Sequence, residues 1–142
     1  MEKKDNICKY NFENFIIIIE TLETNVNLQQ KIIYWFDKKD SICKKYGLIK
    51  FLYGSDIINM YDSGHVKHFS DCFYLESFHR FHGKKGDGAK ILNFVKQVFC
   101  KSFFVLTTNQ KLREYYKTIG FHQQIQKHVS LLGGNFILLK YI

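Results

Sequence analysis

The sequence contains no proline, and none of its four cysteines stands in a C-x-x-C pair. Proline is missing beside abundant Ile, Lys, Asn, Phe and Tyr, a pattern of nucleotide-composition bias. Cys8, Cys43, Cys72 and Cys100 have neither zinc-ligand spacing nor the density of a disulfide framework, so in a reducing compartment they read as free thiols. No apolar run approaches the roughly 20 residues that cross a bilayer; the longest, Phe15 to Ile19, is strand-sized. Met1-Glu2-Lys3-Lys4-Asp5-Asn6 is followed by no apolar signal-peptide core, and a cytoplasmic protein is expected. With no repeat, low-complexity block or Gly/Ser linker, residues 1–142 are expected to form a single domain.

What remains is rich in core-forming residues. Hydrophobic content of 46% and aromatic content of 17% exceed those of a disordered chain. The net charge of +8, from 21 Lys+Arg against 13 Asp+Glu, favours an anionic partner. A polyphosphate cofactor, nucleic acid or an acidic protein surface would each fit, and so would a solvated lysine face.

Periodicity predicts a strand from Phe12 to Glu20, then a helix from Leu28 to about Cys43 capped by Asn25 or Asn27, with Leu28, Ile32 and Phe36 on one face. Gly47–Tyr53 and Asp56–Tyr61 read as a hairpin about Gly54-Ser55, followed by a loop at Asp62–His65. A strand from Ser70 to Phe78 leads into a helix from about Gly88 to Phe99, with Ile91, Leu92, Val95, Val98 and Phe99 apolar. A short strand, Phe103–Leu106, precedes a helix from Asn109 to Ile119 with Leu112, Tyr115, Tyr116 and Ile119 on one face, stopped by Gly120. Two strands, Phe121–Ser130 and Asn135–Tyr141, close the chain about Gly133-Gly134. The expected order is β-α-β-β-β-α-β-α-β-β, an α/β (α+β) mixed sheet.

The segment Gly83-Lys84-Lys85-Gly86-Asp87-Gly88-Ala89-Lys90-Ile91-Leu92 carries the most chemistry. A strand, a glycine turn and a helix start expose backbone N–H groups at the positive end of a helix dipole. That geometry cradles phosphate oxygens, and a Cβ there would block close approach. A Walker A loop is excluded, because Ala89-Lys90-Ile91 follows Gly88 with no hydroxyl for Mg²⁺. A Rossmann fingerprint is excluded, because Ile91 stands where the third glycine belongs. A phosphorylated cofactor or a plain surface turn remain.

The segment Asn109-Gln110-Lys111-Leu112-Arg113-Glu114-Tyr115-Tyr116-Lys117-Thr118-Ile119-Gly120-Phe121 resembles the N-x-x-A-x-x-[LF]-Y-x-K-x-G-F segment of the GNAT superfamily of N-acetyltransferases. Leu112 replaces the usual Ala and Thr118 the usual Lys. The resemblance implies the GNAT acyl-CoA N-acyltransferase fold with acetyl-CoA as cofactor. The turn amides of Lys85, Gly86, Asp87, Gly88 and Ala89 would hold its pyrophosphate, and Lys84 and Lys85 would add charge. It further implies contacts to the cofactor from Phe78, Asn109, Lys111, Leu112 and Tyr116. Tyr116 would protonate the leaving thiolate, although a core aromatic on an amphipathic helix has the same appearance.

A closer resemblance is to the α-tubulin N-acetyltransferases. Val26-Asn27-Leu28-Gln29-Gln30-Lys31-Ile32-Ile33 is similar to their early L-Q-Q-x-I helix. Gly47-Leu48-Ile49-Lys50, Asp62, Cys72 and Gly86-Asp87-Gly88 keep the order of their later motifs, and Asn109-Gln110-Lys111-Leu112 matches their S-Q-K-L. The resemblance implies Cys72 as a catalytic residue, transfer to a lysine of α-tubulin in a ternary complex, and a cytoskeletal, monomeric protein without membrane or nucleic-acid partners. The sequence departs from that family at Leu106 and Leu75, where the family has Asp, and the stretch carrying its catalytic Gln is deleted. Glu76 is the carboxylate nearest the turn in sequence and a candidate base, with an ion-paired strand residue as the alternative. His79 or His82 could also serve as base. Their i, i+3 spacing in an extended segment does not converge with Cys72, so no metal site is expected. A GNAT acetyltransferase for another protein or a small amine, a basic nucleic-acid-binding module stacking bases on Phe73-Tyr74, and a catalytically dead microtubule-binding GNAT domain are the other readings to separate.

Overall fold

The computed structural model describes residues 6–25, 28–53, 72–107, 109–131 and 134–141. Among these, strands β1 (Asn6–Phe12), β2 (Phe15–Asn25), β3 (Leu28–Asp37), β4 (Gly47–Tyr53) and β5 (Cys72–Arg80) precede helix α1 (Asp87–Phe99). Strand β6 (Ser102–Thr107), helix α2 (Gln110–Thr118), β7 (Phe121–Leu131) and β8 (Gly134–Tyr141) follow. The strands form one mixed sheet in the order β1-β2-β3-β4-β5-β6-β8-β7. Among the described residues only β5 and β6 run parallel, joined by the crossover through α1.

The C-terminal half matches the expected elements within a few residues. The N-terminal half does not. The helix expected over Leu28 to Cys43 is strand β3, paired with β2 (Ile33 with Ile19, Trp35 with Ile17) and with β4 (Ile33 with Ile49, Trp35 with Gly47). Ile32-Ile33-Tyr34-Trp35-Phe36 is a β-branched and aromatic run that suits a pleated surface. Ile33 and Trp35 are fully buried on one face, while Ile32, Tyr34 and Phe36 are half-buried. A run that is apolar on both faces satisfies helical spacing as readily as strand alternation, so the pattern Leu28, Ile32, Phe36 misled.

The single strand expected from Phe12 to Glu20 is likewise two strands, turning at Glu13-Asn14 with Glu13 at φ 51°. Asn14 Nδ2 donates to Asp37 Oδ2 at 3.3 Å and Lys38 Nζ to the Glu13 carbonyl at 3.0 Å, tying that turn to the end of β3. Among the described residues the order is therefore β-β-β-β-β-α-β-α-β-β. The Gly54-Ser55 turn, the second hairpin arm Asp56–Tyr61, the Asp62–His65 loop, Ser70 and Gly133 lie outside the described residues.

Phe15, Ile17, Ile19, Ile33, Trp35, Ile49 and Phe51 alternate along β2 to β4 and bury into one cluster with Ile91, Leu92 and Val95 of α1. These α1 residues supply the apolar stripe of an amphipathic helix lying on a sheet. Trp35 stands across Gly47, where a Cβ would lie 2.1 Å from the indole ring. Truncating Trp35 would empty the centre of this cluster at a cost of about 3–5 kcal/mol. Helix and sheet together fix where the β5–α1 turn projects.

Candidate functional site

Parallel pairing of β5 with β6 lasts three residues: Cys72 with Ser102, Phe73 with Phe103 and Tyr74 with Phe104. Beyond Tyr74, β5 pairs only with β4, and beyond Phe104, β6 pairs only with β8, among the described residues. The two strands thus part toward their carboxyl ends, where open α/β sheets hold ligands. At the parting β5 carries a bulge: Lys50 opposes Ser77 and Phe51 opposes Leu75, leaving Glu76 as the extra residue. A bulge bends its strand and re-aims side chains. Glu76 is exposed here and accepts a hydrogen bond from Gln30 Nε2 at 2.9 Å.

The turn after β5 is built by its own side chains. Arg80 Nη1 donates to the Gly83 carbonyl at 2.7 Å, and the Lys84 N–H donates to Asp87 Oδ2 at 2.8 Å. Gly83 and Gly86 have φ of 93° and 95°, which glycine adopts without strain. The Asp87 N–H bonds the Lys84 carbonyl, and the first α1 ladder bond runs from the Lys90 N–H to the Gly86 carbonyl. The N–H groups of Lys85, Gly86, Gly88 and Ala89 bond no acceptor among the described residues. These are orphan donors at the positive end of the helix dipole.

Their residues line a cavity of about 390 Å³ together with Phe78, Arg80 and, from α2 and its C-cap, Tyr115, Thr118 and Ile119. Gly88 sits on the Phe78 ring, and a Cβ there would come within 2.7 Å of Phe78 Cζ. Phe78 in turn meets the edge of Tyr115, ring centroids 6.0 Å apart. Burial pushes the Tyr115 phenol above its ordinary value, and the Arg80 charge partly offsets this. Two cations and the residues of four unbonded amides meet at one small cavity, a donor set whose chemistry suits an anion.

Of the residues singled out in the sequence, Phe78, Lys85, Gly86, Gly88 and Ala89 line this cavity together. Lys84 and Asp87 build the loop behind it. Asn109 caps α2: its Oδ1 accepts from the Lys111 N–H at 2.8 Å and the Leu112 N–H at 3.3 Å. Leu112 and Tyr115, expected on one face with Tyr116, are 45% and 41% exposed, and Tyr116 is the buried residue of the helix. Tyr116 packs on Phe121, and burial, reinforced by Tyr115, raises its phenol's pKa. Cys72 is buried at the start of β5, about 25 Å of strand from the turn at roughly 3.3 Å per residue.

Arg80, Tyr115, Thr118 and Ile119 were not expected at the site. The signal for three of them existed: 115, 118 and 119 are i, i+3 and i+4 on one helix and share a strip. Arg80 gave none, since its role depends on where β5 ends.

No protein-family model matches the sequence, and no curated protein sequence does. Among solved structures, the chain is similar to a candidate GnaT-family acetyltransferase from Bordetella pertussis, with a TM-score of 0.50 at 15% identity. The match covers 80% of this chain and 66% of that one. The likeness establishes a GNAT-like fold, as the parted β5 and β6 and the mixed sheet describe it.

Proposed function

We propose that the protein is an acetyl-CoA-dependent N-acetyltransferase acting on a lysine side chain. The observation that carries this reading is the set of unbonded amides at Lys85, Gly86, Gly88 and Ala89, residues that line a cationic cavity beside the parted strands. These amides, with Lys85 and Arg80, would bind the diphosphate, and the opening between β5 and β6 would receive the pantetheine arm. When bound, acetyl-CoA supplies the thioester whose acetyl group passes to the amine as its C–S bond breaks. Glu76, the extra residue of the β5 bulge, would take the proton from the substrate ammonium and leave the neutral amine to attack. Tyr116, with its neighbour Tyr115, would be the proton donor for the departing thiolate; both phenols, raised by burial from an ordinary 10.0, are protonated at neutral pH. Cys72 enters as a catalytic residue on the tubulin-enzyme resemblance alone.

The acceptor proposed on that resemblance is α-tubulin in microtubules, with the protein a cytoplasmic, cytoskeleton-associated monomer. The net charge of +8 suits an acidic tubulin surface. Support for this acceptor comes from the segments around Gly47, Cys72 to Gly88 and Asn109. The Leu28 segment gives none, since it is a strand where that family has a helix.

Two measurements test the reading. Calorimetry should show acetyl-CoA binding and no binding of a single-stranded oligonucleotide; the reverse would make this a nucleic-acid module. Radiolabelled acetyl transfer should then appear on polymerised tubulin, falling in Cys72→Ala and Tyr116→Phe. Binding without transfer to tubulin or to any lysine peptide would leave a catalytically inactive cofactor-binding domain.

A further inference from the structure

A larger cavity, of about 600 Å³, lies at the opposite end of α1 from the glycine turn. Its floor is apolar, from Ile19, Phe73, Val98 and Phe99, and its wall carries Cys8, Tyr10, Thr21, Glu23 and Lys31. Strand register brings the reactive groups to one side of the sheet. Thr21 stands opposite Lys31 across β2 and β3, and Cys8 lies opposite Ile19, two residues along from Thr21. Lys31 Nζ donates to Thr21 Oγ1 at 2.7 Å, drawing the amine back across β2 toward β1, and it lies 5.7 Å from the centre of the Phe99 ring. Cys8 is exposed and in no disulfide.

The ammonium loses water here without gaining a carboxylate within ion-pair distance among the described residues. Burial accordingly lowers the pKa of Lys31, and the charges of Cys8 and Glu23 offset only part of that. The facing titratable groups are thus Cys8 and Tyr10 on β1, Glu23 on β2 and Lys101 after α1. An amine drawn toward β1 and an exposed thiol on the same apolar-floored cavity make a two-step acyl acceptor.

We propose that Cys8 and Lys31 form a self-acylation site for small acyl thioesters. The Cys8 thiolate attacks the thioester carbonyl, an S-acyl bond forms on Cys8, and the donor thiolate leaves and is protonated by water. The neutral Lys31 amine then attacks the same carbonyl. The Cys8–acyl bond breaks, an Nε-acyl amide forms on Lys31, and the proton lost from the nitrogen returns to the Cys8 sulfur. Cys8 and Lys31 line one cavity, so the second step is intramolecular and outruns acylation of an exposed lysine. Acylation removes the Lys31 charge and its bond to Thr21, and so alters the mouth of this cavity. The site is separate from the glycine turn and does not depend on it.

Peptide mass spectrometry of the folded protein tests this, with acetyl-CoA and with S-acetyl-N-acetylcysteamine, a thioester lacking the diphosphate. From either donor, Lys31 should be acetylated about tenfold or more faster than the exposed Lys117 of α2. Cys8→Ser should bring Lys31 down to the Lys117 rate, and Lys31→Arg should accumulate hydroxylamine-labile acetyl on Cys8. Labelling of Lys31 no faster than Lys117, or unchanged in Cys8→Ser, would overturn the proposal. Modification by acetyl-CoA but not by the small thioester would also overturn it, and would return Lys31 to the reach of the cofactor cleft.

Discussion

Gly88 is the residue on which site geometry depends most closely. Its neighbour is an aromatic face: a Cβ would meet Phe78 at 2.7 and 3.1 Å, and Phe78 is itself buried and held against Tyr115. Gly88→Ala should therefore destabilise the protein by about 1–3 kcal/mol through overpacking, read as a lower urea midpoint. The same methyl pushes α1 away from β5 and disturbs the orphan amides, so acetyl-CoA affinity should fall about tenfold or more, the equivalent of 1.4 kcal/mol. Gly86 differs. No atom lies within 4 Å of its missing Cβ, and only its φ of 95° demands glycine. The glycine requirement was legible from the sequence at both positions; the two different reasons for it were not, because one is a contact with a residue ten positions earlier.

At the scale of elements, local signals worked where one face of an element was polar. Helix α1 carries an apolar stripe, Asn109 caps α2 as a helix-start residue should, and Gly120 ends it with φ 120°. They failed at β3, whose two apolar faces erase the difference between periods of 2 and 3.6, and at β1, whose turn is Glu-Asn without a glycine. The parted β5 and β6 were legible only through resemblance, since splaying is a property of pairing between segments some thirty residues apart. The double hydrogen bond from Asn109 to the Lys111 and Leu112 amides makes a specific prediction. Asn109→Ala should lower stability by about 1 kcal/mol in ligand-free protein, measured by urea unfolding. An unchanged midpoint would assign Asn109 to the ligand alone.

For the whole molecule, the buried phenols set the alkaline limit. Burial raises the pKa of Tyr115, Tyr116 and Tyr141 above the ordinary value of 10.0. Above about pH 10 the unfolded chain releases these protons while the folded chain retains them. The unfolded state then binds fewer protons, and stability falls as pH rises. Below pH 10 their contribution is complete. Lys31 has the opposite sign: its lowered folded value means stability rises with pH up to its ordinary 10.5. The urea midpoint should consequently drop between about pH 10 and 11.5. Tyr116→Phe should flatten that drop, and Lys31→Met should steepen it. A midpoint independent of pH across this range would mean that the phenols stand in water.

The anion-binding turn is the claim from which the enzymatic reading follows, and amide-resolved nuclear magnetic resonance tests it most directly. In a titration with coenzyme A, the largest shifts should fall on the Lys85, Gly86, Gly88 and Ala89 amides, with smaller ones along Leu75–Phe78. A saturating titration that leaves those four amides unmoved, or that moves only residues around Lys31, would contradict the account.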